Sequence, residues 1–194
     1  LGEGEAAMNN NGEWVGGLLE LSGTEGYWFI TNEDVTFIFN GPSEGATRKA
    51  SSIRPVPAEY SFSQSTQQAF YFINSAIIDG KPLDMEYIII AYNGDVIVGS
   101  RYWNGDMTDV PAMGSDDSGI YTGYCSPGDK ISFKVWDDSE QLLVNMDVVG
   151  EISWNNLSIS IINLFENIIP EGISFNSAYP NPFNPVTLLS FSVP

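Results

Sequence analysis

The chain has 194 residues, with 25 Asp and Glu against seven Lys and Arg and a formal charge of −18. That length suits one or two domains with a sizeable core, while the lack of any basic stripe argues against nucleic acid and equally against anionic membrane surfaces. There is no His and a single Cys, so no disulfide forms within the chain, a Ser or Cys nucleophile lacks its usual base, and zinc lacks its usual ligands.

Residues 1–40 read as a small β-rich block. Its β-prone runs are Trp14-Val15-Gly16-Gly17-Leu18, Gly26-Tyr27-Trp28-Phe29-Ile30 and Val35-Thr36-Phe37-Ile38-Phe39, separated by Gly, Asn and Asp. The first residues, Leu1-Gly2-Glu3-Gly4, carry no basic or apolar leader, so the expectation is a processed chain or a piece of a longer one. Residues 41–58 are rich in Pro, Gly and Ser and read as a linker.

Residues 59–165 form the main domain. Strands are expected at 69–73, 87–92, 95–103, 120–124, 130–136, 141–146 and 157–162. Asn93-Gly94 marks a two-residue hairpin. In the run 130–136, Phe133 and Val135 point to one face and Ser132 and Lys134 to the other. No segment carries a 3.6-residue apolar period over a helix length, and no apolar run reaches the length of a membrane span. The expected fold class is all-β: an antiparallel β-sandwich, a smaller N-terminal β-rich block and an extended C-terminal strand. Cys125, at a strand end before Ser126-Pro127-Gly128, reads as a buried small apolar residue.

Residues 166–176 connect to a final stretch, 177–194. There the turn-forming Tyr179-Pro180-Asn181-Pro182-Phe183-Asn184-Pro185 leads into an apolar strand carrying Val186, Leu188, Leu189, Phe191 and Val193. A lone strand leaves backbone groups and apolar side chains unpaired, so this one is expected to pack on its own chain or on another.

The run Ala178 to Pro185 resembles the opening of the C-terminal sorting domain of type IX secretion cargo in Bacteroidetes-like bacteria. A sorting domain of that family is longer than the stretch here, which corresponds to its first strand. Two further segments are similar to β-rich modules of such cargo. One is carried by Gly2-Glu3-Gly4, Trp14-Val15-Gly16 and Gly26-Tyr27-Trp28. The other is carried by Gln67 to Phe72, Tyr92 to Trp103, Thr108 to Gly114 and Gly128 to Asp137. The resemblance implies export through the outer membrane and a place outside the cell or on its surface. It assigns no catalytic chemistry. Members of that family often carry a Cys in the strand after the hairpin, where this chain has Ile97.

Three chemistries can be weighed from the residues. For a metal, Asp106, Asp109, Asp116 and Asp117 gather in the stretch 104–117, read as a loop bent at Gly105 and Gly114. That would suit Ca²⁺ and its six to eight oxygens, although the spacing does not match an EF-hand. For a glycan, Tyr102, Trp103, Trp136 and Trp154 are the aromatic candidates for a stacking platform, against the alternative that alternate aromatics in a half-buried strand are core. For glycoside hydrolysis, a chain this acidic offers carboxylate pairs by chance alone, and the expectation is a protein that is not an enzyme. Asn156-Leu157-Ser158 matches a glycosylation sequon and reads as a chance match.

Two readings follow. In the first, the protein is a non-enzymatic extracellular structural subunit that self-associates into a surface polymer or filament. Its C-terminal strand docks into a neighbour, and the N-terminal block is the expected acceptor. In the second, it is a secreted monomeric module that binds a glycan or Ca²⁺.

Overall fold

The computed structural model describes residues 4–21, 25–36, 54–116 and 118–167, and the backbone of 174–175 and 191–192. Among these the regular structure is β, apart from one 3₁₀ turn at Ala58–Tyr60. No helix among the described residues is long and apolar enough to cross a membrane.

Two hairpins form from local turn chemistry. Strands β1 (Ala7–Asn10) and β2 (Glu13–Gly16) are joined by Asn11-Gly12, both at positive φ as a type I′ turn requires. Strands β5 (Ile88–Asn93) and β6 (Val96–Tyr102) form the hairpin expected at Asn93-Gly94, offset by one residue. Asn93 pairs with Val96, so the loop is Gly94-Asp95, and of these two residues Gly94 has a positive φ. A bulge between Ala91 and Tyr92 absorbs the shift.

The main sheet also contains β3 (Gln68–Ile78), β4 (Lys81–Pro82), β7 (Thr108–Met113), β8 (Ser132–Asp137), β9 (Leu142–Val149) and β10 (Ile159–Glu166). Its order is β4-β3-β10-β9-β8-β5-β6, with β7 also paired to β3. This corrects the antiparallel sandwich. The sheet is mixed, because β10 runs parallel to β3, and it curls on itself into a half-barrel.

The curl places one face of every long strand around a single interior. Ala69, Tyr71 and Ile73 of β3 meet Ile89, Val98, Val110, Phe133, Val135, Ile162 and Leu164 there. Each Val, Ile, Leu or Phe side chain so removed from water contributes about 1.5–3 kcal/mol. Phe133 and Val135 are inside, as alternation predicts, and so is Cys125. At Asn74 an extra residue in β3 shifts the register against β10 between Ile162 and Asn163. After it, Ala76 rather than an odd-numbered residue points inward.

The ends of the curl, β6 and β7, approach without joining in a ladder. Pro111 pairs with Phe70 of β3 and has no amide to donate outward. A Cβ on Gly99 of β6 would fall 1.6 Å from the Pro111 carbonyl oxygen, so glycine permits the approach. The sequence reading missed β7, taking 104–117 as a loop. Asp109 and Pro111 disfavour a strand locally, but here they lie at the seam, where a missing amide breaks no pairing.

Two outer patches of the sheet are covered. The β1–β2 hairpin lays Ala6, Met8 and Val15 over Phe70 and Phe72 of β3. Val56 and Tyr60 cover Ile88, Ile90 and Tyr92 of β5. Residues 54–58, the end of the stretch read as linker, therefore lie against the main sheet, and 41–53 fall outside the described residues.

Two expected strands are not strands. Residues 26–30 are without ladder pairing among the described residues. Ile120–Tyr124 is a turn, with left-handed φ at Gly119 and Gly123. Its two tyrosines pack against each other, ring centroids 5.3 Å apart, and their hydroxyls bond the backbone at Ser63 and Gln64.

Candidate functional site

The two buried charged residues among the described residues, Arg101 and Asp109, lie where the N-terminal hairpin meets the β6–β7 seam. Arg101 projects from β6 and Asp109 from β7, 8% and 2% exposed, with Nη2 and Oδ2 3.3 Å apart. The Arg101 Nε donates to the Asp109 carbonyl at 2.9 Å, and its Nη2 donates to the Gly4 carbonyl. The Asp109 carboxylate accepts the Ala6 amide at 2.9 Å and the Gly17 amide. A Cβ on Gly17 would fall 2.8 Å from Oδ1, so a side chain there would push the hairpin off the carboxylate. Burial pushes the Asp109 carboxyl up, while Arg101 and the two amides pull the other way. The pair therefore fastens the hairpin to the barrel.

A cleft of about 280 Å³ opens beside it. Its walls come from Gly16 and Gly17 of the hairpin, from Arg54 and Met85, and from the chain that leaves β6 and enters β7, residues 101–109. Met107 in that connection holds a left-handed φ of +65°, unusual for a long side chain, and its amide donates to the Ile73 carbonyl at 2.8 Å. Arg54 spans the mouth: its guanidinium stacks 3.7 Å above the Tyr102 ring and pairs with Glu86 at 3.1 Å. That exposed ion pair is worth little by itself.

The structure scatters the proposed metal ligands. Asp106 and Asp109 both line the cleft, but Asp109 is committed to Arg101. Asp116 lies beyond the far end of β7, where it accepts the Ser118 amide at 2.9 Å and the Ser118 hydroxyl. A six-residue strand spans roughly 17–20 Å, so β7 holds Asp106 and Asp116 far apart. Asp117 lies outside the described residues. No group of three or more Cys, Asp or Glu that could hold a metal occurs among the described residues.

The proposed aromatic platform is likewise divided. Trp103 is 5% exposed and belongs to the interior. Trp154 is buried, with its Nε1 donating to the Ala112 carbonyl at 2.9 Å. Tyr102 and Trp136 do share an outer row, each paired across from Ile88 of β5. Arg54 lies over the Tyr102 ring, and Tyr60 packs against Trp136 with centroids 5.3 Å apart. Neighbours of this chain thus take the places a stacked sugar would need.

The proposed docking strand is described only at its backbone, where Phe191–Ser192 (β12) pairs antiparallel with Ser174–Phe175 (β11). Val186, Leu188, Leu189 and Val193 lie outside the described residues. The sequence reading overlooked Arg101 and Arg54. Their scarcity in so acidic a chain was the available signal, because a buried Arg needs a carboxylate. Among family models, curated proteins and solved structures, none matches the chain.

Proposed function

We propose that this protein is a non-enzymatic extracellular structural subunit whose copies join through the C-terminal strand. The observation that supports it is the pairing of β11 with β12, in which the C-terminal stretch takes an extended, ladder-forming backbone at Phe191–Ser192. A two-stranded ladder by itself is marginal in water. An apolar strand gains by adding to a sheet of a neighbouring copy, which supplies main-chain hydrogen bonds and side-chain pockets together. Residues 186–194 carry no charge in a chain of net −18, so they can approach a second copy without like-charge repulsion. The likeness of residues 178–185 to the start of a type IX sorting domain supports export through the outer membrane by that machinery, and residence at the surface or beyond it.

Electron microscopy of the purified chain at neutral pH, with and without EDTA, tests the reading. Polymers are expected from the full chain and none from a chain lacking residues 177–194. Loss of polymers in EDTA would add Ca²⁺ to the mechanism. Polymers that persist without residues 177–194, or single small particles throughout, would refute it.

A further inference from the structure

We infer that the cleft between the N-terminal hairpin and the β6–β7 connection binds one neutral sugar ring or a polyol of similar size. The inference goes beyond the assembly reading and does not depend on the C-terminal strand.

Three observations carry it. The first is the balance of charge. Arg54 lies 3.1 Å from Glu86 and Arg101 3.3 Å from Asp109, so each positive charge at the cleft has a carboxylate beside it and no excess of positive charge faces an anion. Asp106, at the exposed rim, makes no hydrogen bond or ion pair among the described residues. It repels phosphates and uronates, and as a lone carboxylate it falls far short of the six to eight oxygens that Ca²⁺ takes.

The second is the mixture of donors and acceptors. The Asp106 carboxylate accepts, the exposed Asn104 side chain does both, and the Arg54 guanidinium donates. Hydroxyl groups, which donate and accept at once, match such a rim. Met85 and Met107 add apolar surface for the C–H face of a ring.

The third is size. At about 280 Å³ the cleft sits at the small end of ligand pockets, which begin near 300 Å³. It suits one ring and not an extended chain. The buried Arg101–Asp109 pair makes the wall rigid, so little ordering entropy is lost on binding.

The test titrates the full chain with the methyl β-glycosides of glucose, galactose and mannose, read by calorimetry and saturation-transfer NMR. Glucuronate and CaCl₂ are titrated in parallel. At least one neutral glycoside should saturate in the millimolar range. Asp106→Ala and Asn104→Ala should each weaken it by about tenfold, the loss of one good hydrogen bond. Asp95→Asn, at the exposed turn between β5 and β6, should leave it unchanged. Both rim residues are exposed, so neither variant endangers the fold. No saturation at tens of millimolar would overturn the inference. So would affinity unchanged in both rim variants, or tighter binding of glucuronate or Ca²⁺ than of any neutral glycoside.

Discussion

Replacing Asp109 with Ala would test the fastening of the N-terminal hairpin most directly. The change strands the Arg101 guanidinium in a site where it is 8% exposed, and it takes the acceptor from the Ala6 and Gly17 amides. Removing one partner of a buried ion pair costs about 3–5 kcal/mol, and each amide left without an acceptor adds to that loss. Domains have about 5–15 kcal/mol in total, so Asp109→Ala should lower the unfolding midpoint by about 10 °C in a chain of this size. Replacing both partners, Arg101→Met with Asp109→Leu, removes the stranded charge. The double variant should therefore cost at least about 1 kcal/mol less than the two single variants summed. Urea unfolding gives these values, and amide exchange locates them: protection should fall first in residues 4–17 and along the outer face of β3. An Asp109→Ala variant within about 1 kcal/mol of the parent, or single costs that simply add, would refute the reasoning.

Three further expectations follow from the packing. Cys125 is fully buried, and burial pushes its thiol up to about 12. Native protein should resist thiol reagents that label it fully in urea. Its folded value lies above the unfolded one, so the stabilisation is whole below about pH 8.5 and is lost at about 1.4 kcal/mol per pH unit as pH rises towards 12; rapid stoichiometric labelling of the native state would contradict this. Gly99→Ala places a methyl group against the Pro111 carbonyl at the seam and should cost about 3 kcal/mol or prevent folding, read by urea midpoint, whereas a neutral effect would mean that β6 and β7 are further apart. Trp103→Ala should cost about 3–5 kcal/mol as an interior truncation, seen as a lowered thermal midpoint. A variant as stable as the parent would mean that Trp103 lies at the surface.

Most of the sheet was legible in the sequence, because alternation and turn chemistry are local. The runs around Phe70, Ile89, Val98, Phe133, Val144 and Ile162 all became strands, and each sends alternate residues to the interior. The candidate site was legible only in fragments. Tyr102, Trp103, Asp106 and Asp109 were singled out for two different chemistries, and all four line one cleft. Their partners, Arg54, Arg101 and the Gly16-Gly17 pair, lie far along the chain, and sequence spacing says nothing about such meetings. The strand expected at 120–124 shows the limit from the other side. β-prone composition does not give a strand where the left-handed φ at Gly119 and Gly123 turns the chain.

The sequence by itself determined that the protein is β-rich, acidic and without a disulfide, and which side chains of each strand seek a core. The tertiary structure decided the rest. It set β10 parallel beside β3, curled the sheet, and made a strand of Thr108–Met113 despite Pro111 and Asp109. It also decided between the two readings of Trp103, surface platform or core, by burying it. The physical reason is that periodicity is fixed within a few residues, whereas pairing direction, curl and burial depend on groups brought together across the fold. Asp109 meets Ala6 across 103 positions of sequence. Only when the chain has closed does a carboxylate that looked like a cation ligand become the counter-charge of a buried arginine.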